Sequence, residues 1–301
     1  MPWSLESPEV RRNSGFMSAE QQQKILDSHI SIAGCGGAGY NVALNLARTG
    51  VQNFRIADPE VFNLENINRV PGADTTTIGR NKAEVLAEDI FKINPDAHIV
   101  TYSDGISYDN ATEFSHDADV IFEGIDINRP DLSTAVYRAA RELGKAAVTG
   151  MEIGRAAITT SFDPDGKFTF EKFLGIRDDT PLDEIRDLPL SSTVPYLPIY
   201  EDIETLYAVQ KGEISLPSMA ESVSLETAMV VNQIARHIAP DKTCPPTWAN
   251  KWLYVDLGGA IPKSGELTTG HLHYAKTLAF LAIRTALNLN RHSGGYGDLS
   301  K

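Results

Sequence analysis

Residues suited to binding phosphate crowd one stretch of this 301-residue chain. Ser31-Ile-Ala-Gly-Cys-Gly-Gly-Ala-Gly39 ends a short apolar run with Gly34, Gly36, Gly37 and Gly39, spaced as G-x-G-x-x-G. Glycines at this spacing let the backbone approach phosphates. A helix that starts there adds N–H donors and positive partial charge. In such units an acid about 20 residues further on binds ribose hydroxyls, and Asp58 holds that place. Up to here a nicotinamide or flavin dinucleotide and ATP fit equally well.

The next residues separate them. Asp58-Pro-Glu-Val-Phe-Asn-Leu-Glu-Asn66-Ile-Asn-Arg69 is followed by Gly79-Arg-Asn-Lys82. A dinucleotide site holds its pyrophosphate largely with backbone N–H groups and has little use for Asn66, Arg69 and Lys82. A triphosphate carries more charge, to which Arg and Lys are suited. Asp126, closing Val120-Ile-Phe-Glu-Gly-Ile-Asp, adds a carboxylate. Mg2+ shared with phosphates takes one or two carboxylates, so the set fits Mg·ATP. Asp126 has a competing reading as a helix cap, because a helix begins soon after Asn128-Arg-Pro130.

The elements that must position these side chains alternate. Ser18 with Gln21 forms a capping box for a helix running to about Leu26. Strands are expected at His29–Ala33, Asn53–Ala57, Ile99–Tyr102, Val120–Phe122 and Ala146–Thr149. Helices are expected at Gly37–Arg48, Asn81–Lys92 and Pro130–Leu143. The alternation implies an α/β fold, a Rossmann-like, mostly parallel sheet with helices on both faces. Ligands in such sheets sit at the carboxyl ends of the strands. The glycine loop, Asp58 and Asp126 all fall on that rim. After Thr149, Ala156–Phe162 and Lys167–Phe170 flank Asp163-Pro-Asp-Gly166, a hairpin signal that adds antiparallel strands at one edge. A helix at Val223–His237, a strand at Trp252–Val255 and an apolar helix at Thr277–Leu289 follow. The organisation reads as an N-terminal arm (1–28), a nucleotide-binding domain (29–171), a crossover or insert (172–216) and a C-terminal part completing the fold (217–301).

Bulk properties narrow the classes further. Forty acidic residues against 27 basic give a formal charge of -13. No basic stripe appears, which weighs against a nucleic-acid partner. No signal peptide and no apolar run long enough for a membrane span is visible. Two cysteines, Cys35 and Cys244, exclude a disulfide framework and a C-x-x-C zinc pair. A cytoplasmic location is the simplest expectation. His271 and His273 alternate as strand neighbours without an evident third metal ligand. Glu152 and Arg155 are candidates for substrate contact, against surface ion pairing.

GCGGAG, D-P-E-x-x-N-L-E-N-I-N-R, G-R-N-K and the late Asp126 occur in the order and spacing of the ThiF/MoeB/HesA group. Over roughly residues 12–160 the chain resembles these ubiquitin-activating-enzyme-like adenylyltransferases. Ser222-Val-Ser-Leu-Glu226 resembles the group's later core helix. The resemblance implies ribose binding by Asp58 and triphosphate binding by Asn66, Arg69 and Lys82. It also implies Mg2+ at Asp126 and a two-fold dimer in which Arg12 reaches the partner's ATP. The implied activity joins a carboxylate to AMP with release of pyrophosphate. The acceptor would belong to a peptide, a protein C-terminus or a small acid.

The chain departs from the group in two ways. No cysteine lies between Cys35 and Cys244 to form a thioester, and the paired zinc C-x-x-C motifs are absent. It therefore resembles an atypical member whose adenylate is resolved without an enzyme thioester. Relatives of that kind modify peptides or tRNA or serve natural-product pathways. Two other readings stay open: an NAD- or FAD-dependent oxidoreductase, and a non-catalytic binding module that keeps the fold.

Overall fold

Apolar runs too short for helices alternate with amphipathic segments, and each becomes a strand or a helix accordingly. The computed structural model describes residues 1–185, 203–210, 213–258 and 263–266. Its strands are β1 (His29–Ala33), β2 (Asn53–Ala57), β3 (His98–Tyr102), β4 (Val120–Glu123), β5 (Ala146–Ile153), β6 (Ala156–Phe162), β7 (Lys251–Asp256) and β8 (Lys263–Glu266). They form one sheet in the order β3-β2-β1-β4-β5-β6-β7-β8. The first five are parallel, and β6, β7 and β8 add antiparallel at one edge. The helices are α1 (Ala19–Asp27), α2 (Gly37–Thr49), α3 (Lys82–Ile93), α4 (Ala111–Ser115), α5 (Pro130–Glu142), α6 (Phe170–Leu174), α7 (Leu182–Ile185), α8 (Ile203–Gln210) and α9 (Ala220–Ile238).

Register decides where the site falls. Ala33 pairs with Ala57 on β2 and with Glu123 on β4, and Glu123 pairs with Thr149 on β5. The carboxyl ends of β1, β2 and β4 are therefore level with one another and with Thr149 inside β5. Gly34, Asp58, Gly124 and Gly150 emerge side by side. β1 has β2 on one side and β4 on the other, so connections leave in opposite directions there and open a crevice.

Two buried clusters hold the layers. On one face Ile32, Val42, Leu46, Leu86 and Val230 bring α2, α3 and α9 onto the sheet. On the other, Ile121, Phe114, Val136, Phe162 and Phe170 join α4, α5 and α6 to it. β1 is buried after its first residue, as expected of a parallel strand covered on both faces. The Ser18–Gln21 capping box forms as the sequence predicts.

The expected hairpin at Asp163–Gly166 does not form. The chain does turn there, with Gly166 N–H donating to the Asp163 carbonyl (3.0 Å) and Asp165 N–H to its Oδ1 (3.0 Å). The residues after it enter α6 instead of a strand. Thr169 accepts from the Lys172 N–H (3.2 Å) and starts that helix. Its one-turn spacing buries both Phe170 and Phe173 beside Tyr137 and Phe162. The antiparallel partner of β6 is β5, which runs past Thr149 to Ile153 and turns at Gly154-Arg155, with Gly154 at φ +60°. Glu152 thus lies within a strand. The proposed apolar helix at 277–289, His271 and His273 lie outside the described residues.

α6 is tied to α5 through Glu171. This carboxylate is fully buried and meets Arg138 Nε at 2.8 Å and Arg141 at 3.3 Å. Removing one partner of such a buried pair strands the other charges and costs about 3–5 kcal/mol. Glu171→Ala is expected to lower unfolding free energy by about that amount in urea titrations. A loss below about 1 kcal/mol would show the pair to be dispensable.

Candidate functional site

The glycine loop owes its shape to two close approaches. Gly34 stands at φ +92°, and a Cβ there would meet the Gly124 carbonyl oxygen at 2.2 Å. A Cβ on Gly39 would meet the Gly34 carbonyl at 1.8 Å. Gly36 is different, because space is open beside it. It begins α2 without any side-chain cap, so the first N–H groups of a 13-residue helix face the crevice unsatisfied.

A cavity of about 480 Å³ lies against this loop, along the level strand ends. Gly34, Gly36, Gly37, Asp58, Asn66, Arg69, Lys82 and Asp126 all line it. Asp58 is buried, and its two oxygens accept from Cys35 N–H (2.7 Å) and Glu60 N–H (2.8 Å). Burial pushes its pKa up, while the charge of Lys82 and these two amides hold it down. Asn66 is buried and gives its Oδ1 to the Asn63 N–H (3.0 Å), so its NH2 keeps donors to offer. Arg69 is half-buried and rests on the Glu65 carbonyl (3.0 Å) and Asn68 Oδ1 (2.8 Å).

Lys82 is the first residue of α3, where the helix dipole disfavours a cation. It is nevertheless only 6 % exposed, with Nζ 2.5 Å from the mostly exposed carboxylate of Glu60. A buried ammonium set against a dipole has a poor structural rationale and a good one as a phosphate ligand. Asp126 is exposed and accepts from the Asn128 N–H (3.0 Å) in a local turn. It does not cap α5, whose N-cap is Arg129 with no side-chain bond.

Besides Glu60 and Glu65, two buried carboxyls line the cavity that sequence reasoning did not assign. Glu123, the last residue of β4, is buried and accepts from Ile125 N–H, Ser133, Tyr137 and Thr149. Glu226 on α9 is 1 % exposed, and neither Oε1 nor Oε2 meets a donor. Its one available signal was an acid on the buried face of a helix, beside Val223 and Val230. Glu152, half-buried and accepting from Ser218 Oγ (2.7 Å), is the charge that acts on it.

Comparison with known proteins follows this geometry. The profile of the ThiF family matches residues 10–242. The chain belongs to the ThiF family. It is 34% identical over 116 residues to the tRNA threonylcarbamoyladenosine dehydratase of Escherichia coli (strain K12), covering 38% of this chain and 43% of that one. It is 29% identical over 136 residues to the sulfur carrier protein ThiS adenylyltransferase of the same organism, covering 44% and 54%. The matches thus span about half or less of these ThiF relatives' length. Among solved structures, E. coli MccB with ATP superposes with a TM-score of 0.66 at 16% identity, over 89% of this chain and 74% of that one. PaaA superposes with a TM-score of 0.60 at 19% identity, over 87% and 69%. These two likenesses establish the shared fold.

The ThiF fold thus brings the expected glycines, Asp58, Asn66, Arg69, Lys82 and Asp126 to one cavity, with Gly39 packed behind it. Arg12 is exposed in the turn Arg11–Asn13 and is not among the residues lining this chain's own cavity. Cys35 is buried, and burial together with Asp58 raises its thiol pKa well above the usual range. Cys244 is exposed and does not line the cavity. Among the described residues no cluster of three metal-ligating side chains occurs, and no helix is long and apolar enough to cross a membrane.

Burial raises the pKa of Glu226 well above 4.5, reinforced by Glu152. The folded state therefore holds this proton after the unfolded chain has lost it. Its contribution to stability is fully present below about pH 4.5 and falls as pH climbs towards the folded pKa. The limit is about 1.4 kcal/mol per pH unit for one proton. Glu226→Gln is expected to flatten the decline in melting temperature between pH 5 and pH 8 (~3 units). An unchanged slope would place the charge elsewhere.

Proposed function

We propose that this chain is an ATP-dependent adenylyltransferase that joins AMP to a carboxylate. The observation that carries the reading is the buried Lys82, which lines one cavity with the uncapped start of α2 and the ribose-type acid Asp58. The names of the ThiF relatives and the ATP-bound MccB fold support it. A nicotinamide or flavin dinucleotide would leave Arg69, Lys82 and Asp126 without a partner of matching charge.

In this reading the α2 amides and the glycine loop receive phosphate oxygens, and Asn66, Arg69 and Lys82 share the charge of the triphosphate. Asp58 holds the ribose. Mg2+, when bound, would neutralise phosphate charge at Asp126. One exposed carboxylate suits that ion, which takes its remaining ligands from phosphate and water. The acceptor carboxylate is already ionised at neutral pH and needs no general base. Its oxygen forms the new bond to the α-phosphorus. The bond from that phosphorus to the bridging oxygen breaks, and the electron pair leaves with pyrophosphate. Catalysis here is positioning and charge stabilisation.

The acceptor class is a peptide, a protein C-terminus or a small acid, in keeping with the charge of -13. Resolution of the adenylate without an enzyme thioester fits a buried Cys35 and a Cys244 outside the cavity. A two-fold dimer carrying Arg12 to the partner's nucleotide is the remaining part of the proposal.

Charge-assisted hydrogen bonds contribute about 1.5–3 kcal/mol each. Lys82→Ala is therefore expected to weaken Mg·ATP binding by roughly 10- to 100-fold in calorimetric titration. Asp126→Ala should weaken it in Mg2+ but not in EDTA. Affinity unaffected by either change would reject the assignment. Stabilisation by NAD instead of ATP in thermal unfolding would favour an oxidoreductase.

A further inference from the structure

Among the described residues the cavity is lined by more carboxyls than basic groups. Its three basic residues are all engaged elsewhere: Arg69 and Lys82 beside the phosphate loop, and Arg129 on Asp131 at 2.8 Å. The far wall, where β5 and α9 meet, carries Glu226 and Glu152. Glu226 is buried there, and among the described residues neither of its oxygens meets a donor. Desolvation, the charge of Glu152 and a hydrogen bond to Glu152 all raise its pKa, and among the described residues no basic group offsets them. A carboxyl withdrawn from water without a donor costs stability, and evident structural gain is missing. A Cβ on Gly150, within β5, would meet Glu226 Oε1 at 2.6 Å and Val230 Cγ2 at 2.6 Å, so this glycine makes the room in which the Glu226 carboxyl sits. The wall around the pair is otherwise apolar or hydroxylic, with Met151, Ile158, Phe173, Thr160 and Ser218 lining it.

We infer that Glu226 and Glu152 form the binding wall for a cationic nitrogen on the acceptor, so that the acid activated here carries an amine. This rests on the adenylation reading, which places the acceptor's carboxylate at the strand-end rim beside the glycine loop. One molecule then presents its anionic end to the phosphate and its cationic end to the two glutamates. An ammonium would take the place of the proton that Glu226 holds beside Glu152, that proton leaving to solvent, and would pair with both carboxylates in a water-poor setting. A neutral acid of equal size leaves both carboxyls unsatisfied, which is the basis of strong discrimination by buried polar groups.

The test uses stable mimics of acyl-adenylates, in which the adenosine anchors the probe and the acyl part varies. Hexanoyl-sulfamoyl-adenosine is compared with its L-norleucyl and 6-aminohexanoyl counterparts by calorimetry on the full chain, with Mg·ATP titrated alongside. At least one amine-bearing probe is expected to bind roughly 10-fold or more tighter than the hexanoyl probe, as for one charge-assisted bond. The preference should shrink to about threefold or less in Glu226→Gln and in Glu152→Gln, read separately because either variant alone could fold poorly. Equal affinities in the wild type, a preference that survives both substitutions, or probes that fail to bind where Mg·ATP binds would each overturn the wall. Failure of Mg·ATP and all probes alike would instead bring down the adenylation reading and this inference with it.

Discussion

The hydrogen bond from the Cys35 N–H to Asp58 Oδ2, at 2.7 Å, is the contact on which the site depends. It ties the end of β2 to the loop that leaves β1. Beside it the Gly34 N–H donates to the Ala57 carbonyl at 2.8 Å. Together they carry the strand register one residue past the sheet and fix the loop before α2 begins. The arrangement demands a small residue at Gly34, where the Gly124 carbonyl closes in, and at Gly39, where helix meets loop. It also explains a buried Asp58 that remains chemically useful. Each oxygen has one backbone donor, and each retains capacity to accept another.

The charge lining the cavity follows from the same frame. The uncapped start of α2, Arg69 and Lys82 line the cavity together with Asp58 and Glu60. Glu123, Glu152 and Glu226 line it as well. Glu123 is well supplied with donors, which makes it part of the scaffold that fastens β4 to α5. Glu226 meets no donor among the described residues, and its hydrogen-bonding neighbour is the carboxyl of Glu152. The two residues are alike in burial and differ only in their partners.

Much of this frame was legible in the residues. β1, β2 and β6 begin and end where their apolar runs predict, and α2 stops at Gly50 as its sequence demands. That Asp58, Asn66, Arg69, Lys82 and Asp126 share one cavity was legible because residue type and spacing mark them. What escaped depended on tertiary neighbours. The Phe168–Phe170 alternation imitates a strand, but the Thr169 cap and the aromatic pocket around Tyr137 favour a helical turn. β5 outlasts its apolar run because β6 pairs with it through Ile153. Glu226 looked like an ordinary helix acid, since nothing local reveals that its face is turned to a cavity.

The pairing of Lys82 with Glu60 sets a threshold for what enters. An isolated ammonium at that depth would attract any anion that passed. Here a carboxylate already stands 2.5 Å away, tethered to the same strand-end turn as Asp58. A visiting ligand gains Lys82 only by displacing this resident counter-ion, and Glu60, being largely exposed, can swing into water at little cost. A singly charged carboxylate offers no advantage over the one it replaces, whereas a polyphosphate offers several. Under the proposed ATP reading, this pair would sort anions by charge density before any specific contact is made.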